Sequence, residues 1–344
     1  MAARPAPTAY RFPTPYDGAV PTHRSPLVGT LIVLSAASLF ATLGPLSRFA
    51  YERGMEPIGF VAWRVGLAAL ALAVVVWWRA IRSARAIVRP SSFSRTEALS
   101  LGVAVACGLV LNLAIFGAFE RTTVALALLG FYTYPAMIAA LAVVLGREAL
   151  TRAIVAALAI AVGGMVLVLV GGVGNAGAVR FDVLGILLAL TAAAMQTVFV
   201  TASRGFQRIP ADQAMWAILA GTFLGCVVLS TGLAGPDNLL RPIREPGILP
   251  ILGASGVLGA AIPSLLFLVG IRLVGGTRAG ILMLFEPVVG VALAAFLLSE
   301  GIGPVQAAGG AAILAAAVIL QRSPQRPVTV EGETTVALPS PGGP

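Results

Sequence analysis

A chain of 344 residues that is 58% hydrophobic and 11% charged, with a mean hydropathy of +0.95, is too apolar for a water-soluble domain, where charged residues run near a quarter. Its formal net charge of +9 would suit nucleic acid, but all 23 basic residues are arginines, and they cluster at the borders of apolar stretches, as membrane topology requires. With no lysine, no G-x-x-x-x-G-K-[ST] phosphate loop exists, which excludes ATP-driven work by this chain alone.

The first 26 residues carry six prolines and an early Arg4 without an apolar core, so they are not read as a cleavable signal peptide but as a disordered N-terminus. Ten apolar stretches follow, each long enough to cross about 30 Å of hydrocarbon as a helix. They are predicted near 27–49, 57–78, 98–119, 124–145, 153–173, 183–203, 213–234, 248–270, 278–298 and 302–320. Alternating segments of the β-barrel kind are lacking. Beyond Arg322 the residues 323–344 are rich in proline, glycine and threonine and read as a disordered tail.

With Arg48 and Arg278, which stand at span ends, counted in the adjoining connections, sixteen arginines fall in the two ends and the even-numbered connections and six in the odd-numbered ones, while Arg64 lies deep within a span. Arg79, Arg82, Arg85, Arg89 and Arg95 share the second connection. The positive-inside rule then places both termini in the cytoplasm, and the membrane expected is the plasma (inner) membrane. Trp77 and Trp78 fit the interfacial aromatic belt at the same side.

The second half repeats the first at an offset of about 152 residues. Tyr134-Pro135 is echoed by Glu286-Pro287, and thirteen residues past each proline stands an acid, Glu148 or Glu300. Trp63, six residues past Pro57, is echoed by Trp216, six past Pro210. Each half holds five spans, an odd number, so the halves enter the membrane from opposite sides. The predicted organisation is all-α, with ten transmembrane helices as two inverted five-helix repeats, 27–173 and 183–320. Inverted repeats commonly enclose a solute pathway that opens alternately to each side.

Glu286 lies near the middle of the ninth span, where an ionised carboxylate costs several kcal/mol, on the order of 3, unless hydrated, paired or protonated. It can line a pathway or pin two helices together. Pro287 cannot donate to the Met283 carbonyl, which leaves an acceptor beside the acid for a cation, an ammonium group or a proton. Tyr134 occupies the repeat-related place, with Tyr132 two residues earlier, and both either face the same cavity or pack against helices. Arg64 stands roughly 10 Å below the outer surface and Glu286 roughly 13 Å above the inner one, about 6 Å apart in depth. An Arg64–Glu286 pair is therefore one expectation, and an Arg64 that snorkels outward is the other. Gln196 and Asn112, mid-span, either line the pathway or bond neighbouring helices. Pro135 and Pro287 are the expected helix breaks.

Glu148 and Glu300 read as caps of the helices that follow them. Gly221 with Gly225, the series Gly253, Gly256 and Gly259, and Gly309 with Gly310 mark close helix approaches. Cys107 and Cys226 lie in spans and His23 stands alone, so no disulfide, metal site or cofactor is called for, and no catalytic residue can be named.

The sequences Tyr-Pro-Ala-Met…Gly-Arg-Glu-Ala-Leu-Thr and Phe-Glu-Pro-Val…Leu-Ser-Glu, set in two inverted groups of five spans, resemble the drug/metabolite transporter superfamily and in particular its EamA-type exporters, over residues 27–320. The resemblance implies a secondary carrier rather than an enzyme, with the Tyr134 and Glu286 regions bordering a central cavity. Exporters of this kind move amino acids, metabolites or amphipathic compounds. The partners implied are a small-molecule substrate and the bilayer, with proton coupling left open and no nucleic acid. The alternatives are a nucleotide-sugar or phosphate-ester carrier of the same superfamily, and a channel or lipid scramblase.

Overall fold

The computed structural model describes residues 26–83, 87–146, 150–173, 181–233, 235–298 and 303–322. Among the described residues, ten helical spans are long and apolar enough to cross a membrane. They are α1 (Leu27–Glu52), α2 (Pro57–Arg82), α3 (Arg95–Arg121), α4 (Leu126–Val144), α5 (Arg152–Gly171), α6 (Val183–Phe206), α7 (Ala211–Gly232), α8 (Pro246–Val274), α9 (Gly276–Leu293) and α10 (Pro304–Arg322). They match the ten predicted stretches one for one. The predicted caps Glu148 and Glu300, His23, Arg85 and the two ends expected to be disordered, apart from Pro26, lie outside the described residues.

The ends of the spans differ from the predicted ones for local reasons. Helix α3 begins three residues early because Ser94 and Glu97 form a capping box: Ser94 Oγ accepts from the Glu97 N–H at 3.2 Å and Glu97 Oε2 accepts from the Ser94 N–H at 2.8 Å. Helix α1 is two helices, Pro26–Phe40 and Leu43–Glu52. Pro45 has no N–H to offer the Ala41 carbonyl, and the Thr42 hydroxyl instead donates to Leu39 O at 2.7 Å. Helix α8 carries a π-helical turn at Val257–Ala261, just ahead of Pro263, which cannot donate to Gly259 O and so permits the wider turn.

The packing of the spans shows the repeat in three dimensions. Helix α5 packs on α10 and α2 on α7, so each pairs with its own counterpart. Helix α1 packs on α8 while α3 packs on α6, and α4 packs on α6 while α9 packs on α1. Exchanging α1–α5 for α6–α10 maps this set of neighbours onto itself. Five spans per half make the two halves run in opposite directions, which is the inverted repeat.

In lipid, helix association rests on close packing rather than on the hydrophobic effect, so small residues at the contacts matter. A β-carbon at Gly309 would stand 2.5 Å from Gly164 O, so α5 and α10 touch backbone to backbone. Gly221 and Gly225 admit Val105 and Leu109 of α3, and Gly256 and Gly259 admit Leu67 of α2 and Leu43 of α1. Gly253 departs from expectation, since a β-carbon there meets nothing within 4 Å. Trp77 and Trp78 are 62% and 52% exposed, as belt residues should be, and the Arg82 guanidinium lies 4.7 Å over the Trp78 ring.

Candidate functional site: a cavity between the repeats

The two X-Pro motifs break two helices in the same way. In α4 the helix Val124–Phe131 stops, Tyr132 and Thr133 turn, and Tyr134–Val144 resumes. In α9, Gly276–Met283 stops, Leu284 and Phe285 turn, and Glu286–Leu298 resumes. Pro135 and Pro287 therefore sit at the second position of a new half-helix, where a missing N–H costs least. The carbonyls four residues back, Phe131 and Met283, lose their helical donor. Around each break the chain tightens into i→i+3 bonds: Thr133 N–H to Gly130 O at 3.3 Å, Leu284 N–H to Ile281 O at 3.1 Å and Phe285 N–H to Leu282 O at 3.1 Å. Both prolines stand just past a break in their span.

Glu286 opens its half-helix, so its carboxylate stands at the positive end of that helix. That position eases the cost of an anion at mid-membrane. The Tyr132 hydroxyl interacts with the same carboxylate. Tyr132 and Tyr134 are each 1% exposed, and with Phe131 they form a cluster whose ring centroids lie 5.1 to 6.4 Å apart.

Between the repeats lies a cavity of about 1020 Å³, the size of a small-molecule site. All six residues singled out in the sequence line it: Glu286, Tyr134, Tyr132, Arg64, Gln196 and Asn112. So do Phe131 and Met283, the residues whose carbonyls the prolines leave without a helical donor. Ser264, which stands 152 residues after Asn112, lines it too; the offset could have pointed to it. Tyr51, Phe116 and Phe119 also line it, and these were not legible, because aromatic residues at helical spacing look the same whether they face a core or a cavity.

Arg64 does not pair with Glu286. Among the described residues its guanidinium donates through Nη2 to Asn112 Oδ1, and the Asn112 side-chain amide donates onward to Gly108 O at 2.7 Å. The guanidinium carbon lies 5.4 Å from the centroid of the Phe116 ring, and Arg64 is only 4% exposed, so it does not snorkel either. Similar depth brought the two charges to one cavity, but α2 presents Arg64 to α3 rather than to α9. The cavity thus has two poles, a cation flanked by α3 and an acid flanked by the α4 aromatics.

The cavity reaches the membrane face formed by the α1–α2 and α3–α4 connections, through Met55, Glu56, Glu120 and Thr123. No described residue of the α2–α3, α6–α7 or α8–α9 connections lines it. At that opposite face polar contacts tie the helix ends together. Arg79 Nε lies 2.9 Å from Asp212 Oδ2, Arg272 donates to Ile209 O at 2.9 Å and Phe206 O at 3.2 Å, and Gln213 exchanges hydrogen bonds with the Val88 backbone. Because the Arg79–Asp212 pair is partly exposed, Asp212→Asn is expected to cost only about 1 kcal/mol of stability. The charge-swapped double variant Arg79→Asp with Asp212→Arg should recover part of that loss, and thermal unfolding in detergent measures both.

The sequence model of the EamA-like transporter family matches this chain twice, over residues 27–170 and again over 183–322. The chain belongs to the EamA-like transporter family. It is a multi-pass membrane transporter of the drug/metabolite superfamily, and the two matches coincide with the two five-helix halves. Among solved structures, one described only as "Crystal structure of protein" superposes with a TM-score of 0.66 at 19% identity, covering 87% of this chain and 98% of that one. At that identity the likeness speaks for the fold alone. No curated protein matches the chain.

Proposed function

We propose that this EamA-type protein is a secondary carrier, not an enzyme, which moves small amphipathic metabolites, amino acids included, through the inter-repeat cavity by alternating access. The observation that carries this reading is the place of Glu286: a carboxylate at a helix break in mid-membrane, at the wall of a cavity large enough for a small organic solute. An acid there suits a neutral, zwitterionic or cationic cargo, or a proton that competes with it. Pathway lining is assigned to Glu286, Tyr134, Tyr132, Arg64, Gln196 and Asn112, with Pro135 and Pro287 as the breaks that expose backbone acceptors. Both termini are assigned to the cytoplasm from the arginine distribution, and the membrane is assigned as the plasma (inner) membrane, as expected of an EamA-type exporter. On that topology the cavity faces outward, and export requires the Arg79–Asp212 face to open.

The phosphate-ester reading is the weaker one, because among the described residues the cavity lining sets a single arginine, Arg64, against three glutamates, Glu56, Glu120 and Glu286. Proteoliposomes decide between carrier and channel. Uptake of labelled amphipathic amines and zwitterions is expected to saturate and to be accelerated by unlabelled solute on the opposite side. Flux that rises linearly with concentration and shows no counterflow would replace the carrier with a channel or scramblase.

A further inference from the structure

We infer that the Arg64 pole of the cavity is an anion subsite for a carboxylate, built from Arg64 and Tyr51, so that the cargo carries an acid group as well as an apolar body. The inference rests on the cavity being the transport site, and goes beyond that reading by naming a second recognition element remote from Glu286.

Three observations support it. First, Arg64 is 4% exposed yet only partly satisfied: Nη2 bonds Asn112 and the ring of Phe116 covers the guanidinium carbon, while Nε has no hydrogen-bond partner among the described residues. A buried guanidinium with an idle N–H is costly unless something anionic meets it. Second, the Tyr51 hydroxyl is likewise buried and without a hydrogen-bond partner among the described residues, and it lies within electrostatic reach of Arg64. Both side chains line the cavity. Third, the nearby walls are aromatic. Tyr51 packs edge-on to Phe60 at 5.6 Å and Phe60 to Phe116 at 5.8 Å, which fixes the hydroxyl and suits an apolar body behind the charge.

The charges facing this pole are few. Cys226 lies near Arg64, and Glu120 near Tyr51. With one cation, and with Glu120 toward the mouth, a monoanionic carboxylate fits better than a phosphate dianion, whose second charge would go unmatched. A guanidinium N–H and a phenol O–H offer the two donors that the two carboxylate oxygens accept. A cargo that also reaches Glu286 is then a zwitterion with its charges held apart by the apolar body.

The test is equilibrium dialysis of the protein in nanodiscs against phenylbutyrate, phenylbutyramide, phenylbutylamine and phenyl phosphate. Wild type is expected to hold phenylbutyrate about tenfold more tightly than its amide. Tyr51→Phe should cut that preference by about threefold or more, and Arg64→Gln should erase it. Arg64 is buried against Asn112, so its variant is read only in monodisperse preparations. Tyr51→Phe removes an oxygen with no partner and carries the test alone where Arg64→Gln does not fold.

Equal affinity for acid and amide, a preference unchanged in Tyr51→Phe, or tighter binding of phenyl phosphate would each overturn the carboxylate assignment. Amine binding that depends on Glu286 in a protein with no acid preference would sink the subsite and leave the transport reading standing. A cavity that takes none of the probes overturns both.

Discussion

Replacing Glu286 with glutamine is expected to abolish gradient-driven transport, with flux falling by about a hundredfold. The substitution keeps volume and shape, so packing at the α4–α9 crossing should survive. What is lost is a charge at a helix N-terminus, facing Tyr132, at the wall of the cavity. A hydrogen bond to a charged group is worth about 1.5–3 kcal/mol, and each 1.4 kcal/mol is a factor of ten. The assay is uptake of a metabolite pool by proteoliposomes with and without an imposed pH gradient. If Glu286 is the coupling acid, the variant behaves as permanently protonated: exchange of labelled for unlabelled solute persists while net gradient-driven uptake stops. If Glu286 holds the cargo itself, exchange stops as well. Equal flux in variant and wild type would return Glu286 to a structural role.

The largest effect on stability is expected at Gly309. A β-carbon there would stand 2.5 Å from Gly164 O, 2.8 Å from Val168 N and 2.9 Å from Leu167 Cβ, and two of these three atoms are backbone that cannot rotate away. Gly309→Ala should therefore cost about 1–3 kcal/mol, and Gly309→Leu more, enough to part α5 from α10. Gly163, next to Gly164, provides the control, because a β-carbon there meets nothing within 4 Å. Gly163→Ala is expected to be neutral or to stabilise the helix by up to about 1 kcal/mol. The measurement is the fraction of protein that stays monodisperse after heating in detergent. Identical melting of Gly309→Ala and Gly163→Ala would mean that the backbone contact does not hold the two repeats together.

Much of the site was legible because the physics behind it is local. A proline denies its helix one hydrogen bond wherever the chain is folded, so Pro135 and Pro287 announced the two breaks, and the residues next to them, Tyr134 and Glu286, became candidates without any knowledge of packing. Tyr51, Phe116 and Phe119 were silent because nothing in a helical sequence distinguishes an aromatic ring against a cavity from one against a neighbouring helix. The π-turn in α8 was signalled only by Pro263, and the capping box that lengthens α3 by Ser94 and Glu97.

The sequence by itself determined the membrane class, the ten spans, the two inverted halves and the depth of each polar residue, since apolar length, arginine placement and the 152-residue offset are properties of the chain read in order. Tertiary structure decided which of those polar residues meet. Depth put Arg64 and Glu286 at similar levels, but a helix can turn a residue at any given depth toward any neighbour. The rotation of α2 was set by its packing on α7 and α3, and that rotation gave Arg64 to Asn112 and left Glu286 to Tyr132.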